Sequence, residues 1–428
     1  MTRRSATLLL GLTASVFGAR PLHGQTGPLV DSVSRGRASD PREAALAEVR
    51  DARLRLGPVR FRPFVRLRNL TYVNQSFFED ARGDLTAGAE AGVRAIVPFG
   101  RSVFLRSDVG ASYTWFARNA DQRRVAATPS LSLQAFVGRA TISVEAQRDQ
   151  FTSSLSSEED RTITQRVDTV RGTVQYDVGA RVFVFAGGGL QRPRYITEGL
   201  LPQDAERIAG LDRTETFDNV GVGYSFSPRT RMSVGYVETR SRFRLEPLRD
   251  GGSKGFVIGA AYDRTRFFVN LQGGVRNYEP EAPGAFPAQR DLFGASFVSY
   301  HLRRFDAQFF GSRRRIDSIF TANAAFLETR GGVGASIPLG TRGLATLGAF
   351  FEGGTNSYSV AVETAVGPVT RRDDVLAVRG NLALHLLRNV SLSVDVSETR
   401  YDSNIEAFDR DVFRITTNLS FSIQLLGR

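Results

Sequence analysis

A strict alternation of side-chain types over residues 212–245 constrains the fold more than any other feature of this sequence. Large apolar residues stand at every second position of its first half, with glycine or serine between them: Val220, Val222, Tyr224 and Phe226. Because successive side chains of a strand point to opposite faces, this run predicts a strand with one apolar face. Pro228 then interrupts the run, since it cannot donate to a β-ladder and it presets φ for a turn. The alternation resumes after Arg229 with Met232, Val234 and Tyr236, so the stretch is predicted to be one β-hairpin.

The same unit recurs along most of the chain. Eight tight turns lie between alternating runs, at residues 98–101, 137–139, 178–180, 227–229, 263–265, 302–304, 339–341 and 387–389. Longer and more polar connections separate the hairpins, at residues 153–163, 197–211, 246–252, 279–288, 362–369 and 402–409. With a first strand at residues 60–72 and a last one at 412–425, the pattern predicts about 18 strands, with 14 or 16 as alternatives.

So many hairpins leave no unpaired edge if the sheet closes on itself. Short turns at one end and long connections at the other are typical of bacterial outer-membrane barrels. We therefore predict an all-β chain that forms a transmembrane antiparallel up-and-down β-barrel, preceded by a short N-terminal helix. The alternative is a soluble β-sandwich, but sandwich strands are shorter and their turn lengths do not alternate in this way.

The N-terminal region differs from the rest of the chain. Arg3 and Arg4 precede a short apolar run, which predicts a signal peptide over residues 1–25 and export to the cell outer membrane. Within residues 26–58, Pro41 follows Asp40 at the start of a short amphipathic helix. This helix is predicted to lie in the lumen, to dock in the periplasm or to serve as a linker. The barrel then occupies residues 59–428. No stretch has the roughly 20 apolar residues that a membrane helix needs.

Composition excludes several functional classes. The net charge of +12 comes almost wholly from arginine, and Lys254 is the one lysine. The arginines are spread along the chain and are not gathered in a basic run, so nucleic acid is not a predicted partner. The chain has no cysteine, and no metal-ligand spacing occurs, so we predict no cofactor and no metal.

Enzymatic activity is not predicted either. The chain has three histidines: His23 lies in the predicted signal peptide, whereas His301 and His385 lie beside short turns. Chemistry on the outer leaflet would need such residues at the opposite end of the barrel. The one G-x-S-x-G match, GGSKG at residues 251–255, is not followed by a helical pattern, so it does not predict the strand-to-helix elbow of serine hydrolases.

Alternation assigns a set of charged residues to the inner face of the predicted barrel. These are Arg66, Arg68, Arg106, Asp108, Glu145, Asp149, Arg276, Asp306, Asp395 and Arg414. Charges inside a barrel must be paired or hydrated. The set predicts either a wet pathway whose charges select solutes or a salt-bridged interior that fills the barrel.

A second set of residues is predicted for the outer rim. Aromatic residues near strand ends suggest a girdle at the level of the lipid headgroups: Tyr113, Trp115, Phe116, Tyr195, Tyr236, Tyr278, Tyr358 and Tyr401. Any of them that face inward are alternatively predicted to stack on sugars. Arg240, Arg242 and Arg244 follow Tyr236 on the same face. They are predicted to contact phosphate groups of lipopolysaccharide in the outer leaflet.

The hairpin GVGYSFSPRTRMSVGYVETRSRF at residues 221–243, with its S-P-R-T turn, resembles the β-barrel porin type 2 family. The segment VSETRYDSN at residues 396–404 has the same character. The resemblance covers residues 59–428 and implies an outer-membrane barrel associated with exopolysaccharide export. It implies no particular functional residues. Outer-membrane barrels usually end on an aromatic residue, whereas this sequence ends in Leu-Leu-Gly-Arg.

The predicted function is a porin-like channel in the cell outer membrane, passing polar solutes or exported polysaccharide. Membrane lipid and lipopolysaccharide are its predicted partners. The alternative is a plugged barrel that anchors an envelope partner. A helix from residues 26–58 inside the lumen would favour this alternative.

Overall fold

A computed structural model describes most of the predicted barrel. The described residues are 41–52, 54–73, 84–118, 120, 123–154, 158, 162–198, 202–282, 284, 286–302, 304–320, 323–340, 344–364, 367–387 and 390–422. The predicted signal peptide at residues 1–25 lies outside them, so it stays a prediction.

The described chain consists almost entirely of β-strands. It contains two α-helices, α1 (Pro41–Asp51) and α2 (Pro202–Ala209), and two 3₁₀ helices at Pro247–Arg249 and Glu406–Phe408. The strands are β1 (Leu54–Leu56), β2 (Val59–Val73), β3 (Asp84–Phe99), β4 (Val103–Phe116), β5 (Arg124–Ala127), β6 (Ser130–Val137), β7 (Ala140–Ser154), β8 (Thr162–Asp177), β9 (Val182–Ile196), β10 (Arg213–Ser227), β11 (Thr230–Phe243), β12 (Gly251–Arg264), β13 (Phe267–Pro280), β14 (Gln289–Leu302), β15 (Phe305–Asp317), β16 (Ala325–Leu339), β17 (Ala345–Thr364), β18 (Gly367–Leu387), β19 (Val390–Ser403) and β20 (Arg410–Ser422). Neither described α-helix has the length and apolar character that crossing a membrane requires.

The strand pairings run in a closed ring, and each described pair is antiparallel. Neighbours in sequence pair with each other, and β20 returns to β2 through Arg66↔Ser422 and Leu67↔Phe421. Strands β5 and β6 pair with successive parts of β4, and β1 and β20 pair with successive parts of β2. The described chain therefore has 20 strands but 18 places in the ring. About 18 strands were predicted, and the two additional ones share places with β6 and β20.

Short turns and long connections alternate around the ring as predicted, except between β17 and β18. The prediction of a long polar connection at residues 362–369 is wrong, because β17 and β18 continue to a tight turn where Thr364 pairs with Gly367. Gly367 has φ 115°, a conformation that favours glycine, and this closes the turn. The connection between β15 and β16, which the sequence pattern did not mark, spans residues 318–324.

The two faces of the sheet differ in exposure. Val220 and Val222 of β10 are exposed, whereas Gly221 and Gly223, which alternate with them, are covered. We call the exposed apolar face the outer face. Across the other face, non-adjacent strands touch: Arg213 of β10 and Asp317 of β15 lie 3.0 Å apart (Nη2–Oδ2). We call this the inner face.

The inner face is not uniformly polar, because phenylalanine rings lie on it against glycines of neighbouring strands. A Cβ added to Gly221 would clash with Cζ of Phe185. The same arrangement joins Phe64 to Gly92, Phe217 to Gly189, Phe183 to Gly223, Phe293 to Gly274, Phe310 to Gly332 and Phe350 to Gly334. Glycine thus makes room for rings that cover the backbone of the next strand. This packing explains why a strand-rich chain carries 42 glycines and 31 phenylalanines.

Candidate functional site: the inner face and the two mouths of the barrel

Five of the ten predicted inner-face charges have a described polar contact on that face. The described contacts are Arg94–Asp108 (Nε–Oδ2 2.7 Å), Arg171–Glu145 (Nη2–Oε2 2.7 Å), His301–Asp306 (Nδ1–Oδ1 2.6 Å), Asn381–Asp395 (Nδ2–Oδ1 2.5 Å) and Arg106–Gln134 (Nη1–Oε1 2.5 Å). They join neighbouring strands and do not span the barrel.

The remaining predicted residues of this set fall into three groups. Asp149 and Arg414 are half-buried, opposite Val167 and Ser397. Arg276 is buried, with its guanidinium over the ring of Phe293 of β14. Arg66 and Arg68 pair through their backbone with Glu90 and Gly88 of β3. The side chains of Arg66 and Arg68 lie outside the described part of the structure.

Water reaches several of the inner-face charges. The side chain of Arg94 is 48% exposed although it forms an ion pair with Asp108. Arg379 of β18 is also 48% exposed and lies 3.2 Å from Glu352 of β17 (Nη2–Oε2). A buried ion pair costs desolvation energy, whereas a hydrated one does not. This part of the inner face therefore carries charge that a solute can meet.

Helix α1 lies at the short-turn mouth. The sequence predicted this helix but left open whether it lies in the lumen, docks in the periplasm or serves as a linker. Ala45 of α1 is fully buried and packs with Ile96 and Phe104. Leu46, Val49 and Phe136 are packed against this cluster. Its members on the wall belong to β3, β4 and β6, which are adjacent in the ring.

Two polar contacts complete the docking of α1. Glu48 accepts a hydrogen bond from Nε of Arg106 at 2.8 Å. Arg42 donates from Nε to the carbonyl oxygen of Arg101 in the short turn at 2.9 Å. Arg106, predicted as a lumen-lining residue, thus binds the helix in this structure. These contacts hold α1 against one side of the ring.

At the opposite, long-connection mouth, residues 318–320 and 323–324 cross the end of the barrel. We call them the crossing segment. Glu158, in the connection between β7 and β8, accepts hydrogen bonds from Oγ of Ser318 (2.8 Å) and the backbone N–H of Ile319 (2.7 Å). The β7–β8 connection and the β15–β16 connection lie nearly opposite each other in the ring. The segment is therefore held across the lumen.

Further contacts anchor the crossing segment from other sides. Arg249 of the 3₁₀ helix after β11 donates to the carbonyl oxygens of Ser318 (2.5 Å) and Ala324 (2.9 Å). The backbone N–H of Val360 in β17 donates to Oδ1 of Asn323 at 3.2 Å.

A buried arginine joins this segment to the β19–β20 connection and to β17. Arg371 of β18 is 1% exposed and donates from Nε and Nη2 to both carboxylate oxygens of Asp373, at 2.8 Å each. Its guanidinium lies over the rings of Phe408 (3.7 Å), Tyr358 (4.7 Å) and Phe320 (5.7 Å). A planar guanidinium suits both contacts, because it binds a carboxylate in bidentate fashion and stacks on aromatic faces.

The environment of Glu158 bears on its charge. Burial raises the pKa of the Glu158 carboxyl above its ordinary value. The hydrogen bonds from Ile319 and Ser318 and the charge of Arg371 oppose this shift without reversing it. The neutral form of Glu158 is therefore favoured more strongly in the folded protein than in the unfolded chain.

The predicted aromatic girdle is wrong for five of its members. Phe116 stands on the inner face of β4, opposite the buried Thr86 of β3. Tyr278, Tyr358 and Tyr401 lie beneath buried arginines, with Arg315 at 3.6 Å, Arg371 at 4.7 Å and Arg410 at 3.9 Å from the ring centroids. Tyr195 is on the inner face of β9 beside Arg213. Cation–π contact with these arginines outweighs placement at the headgroup level. Tyr113 and Tyr236 do lie on the outer face, where Tyr236 packs against Phe256.

The three predicted rim arginines lie on the outer face at the long-connection end. Arg240, Arg242 and Arg244 are all exposed. Nη2 of Arg240 lies 2.7 Å from Oε1 of Glu238, and Nη2 of Arg244 lies 3.5 Å from Oδ2 of Asp212. Lys254 of β12 is opposite Glu238.

Sequence reasoning missed the residues that build the long-connection mouth. Arg249 and Glu158 stand in connections, where alternation assigns no face. A usable local signal existed only at Arg371 and Asp373, which share a face two residues apart on a strand. Within the described ranges, no group of histidine and carboxylate side chains is arranged to hold a metal ion.

Solved structures place this architecture among porins. The chain is similar to OccK2 (OpdF) of Pseudomonas aeruginosa, with a TM-score of 0.54 and 11% identity over 86% of this chain and 98% of that one. It is similar to the outer membrane protein OpdK of the same organism, with a TM-score of 0.53 and 12% identity over 85% and 99% of the two chains. It is also similar to a BenF-like porin of Pseudomonas fluorescens Pf-5, with a TM-score of 0.52 and 12% identity over 86% of this chain and 100% of that one. The fold is that of an outer-membrane porin. No family model and no curated protein matches the sequence.

Proposed function

We propose that the protein is an outer-membrane channel that passes small polar solutes. The observation that carries this proposal is the hydration of inner-face charge, with Arg94 and Arg379 about half exposed although each has a carboxylate partner. A solid, salt-bridged interior would bury such pairs. The likeness to porin structures supports the same function.

The lining is proposed to favour anions. Arginine dominates the basic residues, and the chain carries a formal net charge of +12. The predicted lining residues Arg66, Arg68 and Arg414 would add positive charge to the pathway defined by Arg94 and Arg379. One similar structure, that of OccK2, was solved in complex with glucuronate, which is an anion. Rings of basic side chains are a known means of anion selectivity in pores.

Single-channel recording in a planar bilayer under a salt gradient tests this proposal. We expect discrete conductance steps and a reversal potential that indicates anion preference. Replacing Arg94 and Arg379 together by Gln is expected to reduce that preference. The matched control is Arg372→Gln, because Arg372 lies on the same strand as Arg379 but on the outer face. Cation preference in the unaltered protein would contradict the proposed lining.

A second candidate function is a plugged barrel that anchors an envelope partner. The position of α1 in the short-turn mouth favours it, since the helix narrows the path at that end. Steps that appear only after residues 25–57 are deleted would favour a plugged, gated barrel. Passage of exported polysaccharide remains a proposal that rests on the sequence resemblance. It requires a path wide enough for a sugar chain beside the crossing segment.

We also propose that Arg240, Arg242 and Arg244 bind phosphate groups of lipopolysaccharide. Their exposure on the outer face, beyond the outward-facing Tyr236, supports this role. Reversing all three charges to Glu is expected to reduce lipopolysaccharide retained by the purified protein. Reversal of Arg372 and Arg400, which form ion pairs with Asp374 and Asp402 elsewhere on the rim, is the control. Unchanged retention in the triple variant would contradict the proposal.

A further inference from the structure

Strands β14 and β15 separate before either of them ends. Their pairing runs from Leu302↔Phe305 to Gly294↔Arg313 and stops there. β14 continues to pair with β13 as far as Gln289, and β15 continues to pair with β16 as far as Asp317. Between these outer parts no described backbone pairing exists. We call this gap the β14–β15 seam.

The cause of the separation lies in the crossing segment. Beyond Arg313, β15 leads directly into Ser318, which is held by Glu158 and Arg249 across the lumen. Asp317 lies 3.0 Å from Arg213 of β10 (Oδ2–Nη2). β15 therefore bends inward while β14 stays in the wall.

Arginine side chains bridge the seam in place of backbone hydrogen bonds. Arg313 donates from Nε to the carbonyl oxygen of Leu292 at 3.1 Å. Arg315 donates from Nη1 to Oε1 of Gln289 at 2.6 Å, and its guanidinium lies 3.6 Å from the ring centroid of Tyr278 in β13. Arg315 is buried although it stands at a break in the wall.

A second buried arginine lies behind the first. Arg276 of β13 is 8% exposed, and its Nε and Nη2 atoms are buried without a hydrogen-bond partner. Its guanidinium lies over the ring of Phe293 and is close enough to Arg315 for the two like charges to repel. Asp291, opposite Arg276 in the ladder, and Asp317 offset part of this positive charge, but neither accepts a hydrogen bond from Nε or Nη2 of Arg276. Buried donors without an acceptor are costly, and an oxyanion that accepts from both guanidinium groups would remove that cost.

The seam also meets the lipid-facing surface. Leu292 on the outer face is 64% exposed, and Arg290 beyond it is exposed as well. Beside the seam, the outer face carries three glycines that lie directly opposite one another on successive strands: Gly311 of β15, Gly331 of β16 and Gly353 of β17. A Cβ added to Gly331 or Gly353 meets only one backbone oxygen, at 3.8 or 3.9 Å, so this part of the outer face is a shallow trough.

We propose that Arg276 and Arg315 form an oxyanion-binding site at the β14–β15 seam, and that its ligand is the phosphate group of an outer-leaflet lipid. Two guanidinium groups match a phosphate in charge and geometry. The seam gives the headgroup access from the membrane, and the glycine trough accommodates an acyl chain. The site is separate from Arg240, Arg242 and Arg244, which lie on β11 and just beyond it.

Site-directed photocrosslinking tests the proposal, because the chain has no cysteine and a single introduced one is labelled specifically. Leu292→Cys in the full-length protein is labelled with a benzophenone maleimide and reconstituted in vesicles containing diphosphoryl lipid A. Leu376→Cys, at an exposed outer-face position of β18, is the matched control. We expect lipid A to crosslink at position 292 well above the level at position 376. Adding Arg276→Gln should lower the crosslink at 292 about tenfold, whereas Arg276→Lys should preserve most of it.

Two further outcomes separate the sources of the anion. In the first outcome, inorganic phosphate raises the thermal stability of the unaltered protein but not of Arg276→Gln, and the crosslink at position 292 does not depend on Arg276. This result would support the oxyanion site but overturn the lipid as its ligand. Equal crosslinking at 292 and 376, unaffected by Arg276→Gln and with no stabilisation by phosphate, would overturn the site itself. Heat-modifiable gel mobility verifies that each variant is folded.

Discussion

Helix α1 at the short-turn mouth rests on one side of the ring, whereas the crossing segment at the long-connection mouth is held from opposite sides of it. The helix is docked by a small apolar cluster and two polar contacts near water. The crossing segment is fixed by buried arginine, carboxylate and backbone groups. A buried ionic network tolerates few arrangements, while a small apolar contact can be released at modest cost. The comparison therefore predicts a fixed constriction at one mouth and a displaceable element at the other.

The largest effect is expected at Arg371. Arg371→Met leaves the Asp373 carboxylate buried without its cation, which should lower the free energy of unfolding by about 3–5 kcal/mol. Denaturant unfolding in lipid vesicles measures this change. Arg372→Met, at the adjacent exposed position that pairs with Asp374, is the matched control and should have little effect. Equal effects of the two substitutions would show that the long-connection mouth does not depend on its buried network.

The next largest effect is expected at Ala45. Ala45→Glu places a carboxylate against Ile96 and Phe104, which costs at least about 2 kcal/mol and should displace α1 from the mouth. Single-channel conductance should then match that of a protein lacking residues 25–57, while the unfolding of the barrel stays unchanged. Glu43→Gln, at a largely exposed position of the same helix, should retain the conductance of the unaltered protein. Loss of the whole barrel on Ala45→Glu would mean that α1 is an integral part of the wall.

A smaller effect is expected at the ion pair of α1. Glu48→Gln removes the charge that binds Arg106 at a partly exposed site, a change of about 0.5–1 kcal/mol. The helix should then leave the mouth about two to five times as often, which appears as a higher open probability. High salt should mimic the substitution in the unaltered protein and add nothing in the variant. A salt effect of the same size in the variant and in the unaltered protein would mean that the salt-sensitive contact is not the Glu48–Arg106 ion pair.

The smallest effect is a pH dependence of the long-connection mouth. Because burial raises the pKa of Glu158, its contribution to stability is fully present at low pH and is lost as pH rises through the folded-state pKa. The crossing segment should therefore be held more firmly in acid, with lower and quieter conductance there than at neutral pH. Glu158→Gln should remove most of this dependence between acid and neutral pH. A dependence of opposite sign would mean that the ionised carboxylate, facing Arg371 and Tyr358, is the stabilising form.

The wall of the barrel could be predicted from the sequence because alternation and turn residues are local. The eight short turns lie where glycine, proline and polar residues interrupt the alternation, and the apolar side of β10 is the outer face. The four misplaced tyrosines were predictable in part, since the alternation that places Arg276 on the inner face places Tyr278 there too. Proximity to a strand end was a weaker indicator of a place in the girdle than this alternation.

The mouths could not be predicted because their contacts join distant parts of the chain. Glu158 meets Ser318 across 160 positions, and Arg410 donates to the carbonyl oxygen of Glu158 across 252. Neither contact leaves a periodic trace in the sequence. The inner phenylalanines were missed for a different reason, because a period of two distinguishes faces but does not reveal that glycine on the next strand receives a ring.

The most direct test of a channel with one displaceable and one fixed mouth is the single-channel conductance of the mature protein, measured with and without residues 25–57. We predict steps in both proteins, larger or longer-lived without the helix. Anion preference should be retained or increased without the helix, because Arg94 and Arg379 are unchanged and Arg106 is released from Glu48. Absence of steps from both proteins, with each barrel folded by heat-modifiable mobility, would contradict the proposed channel.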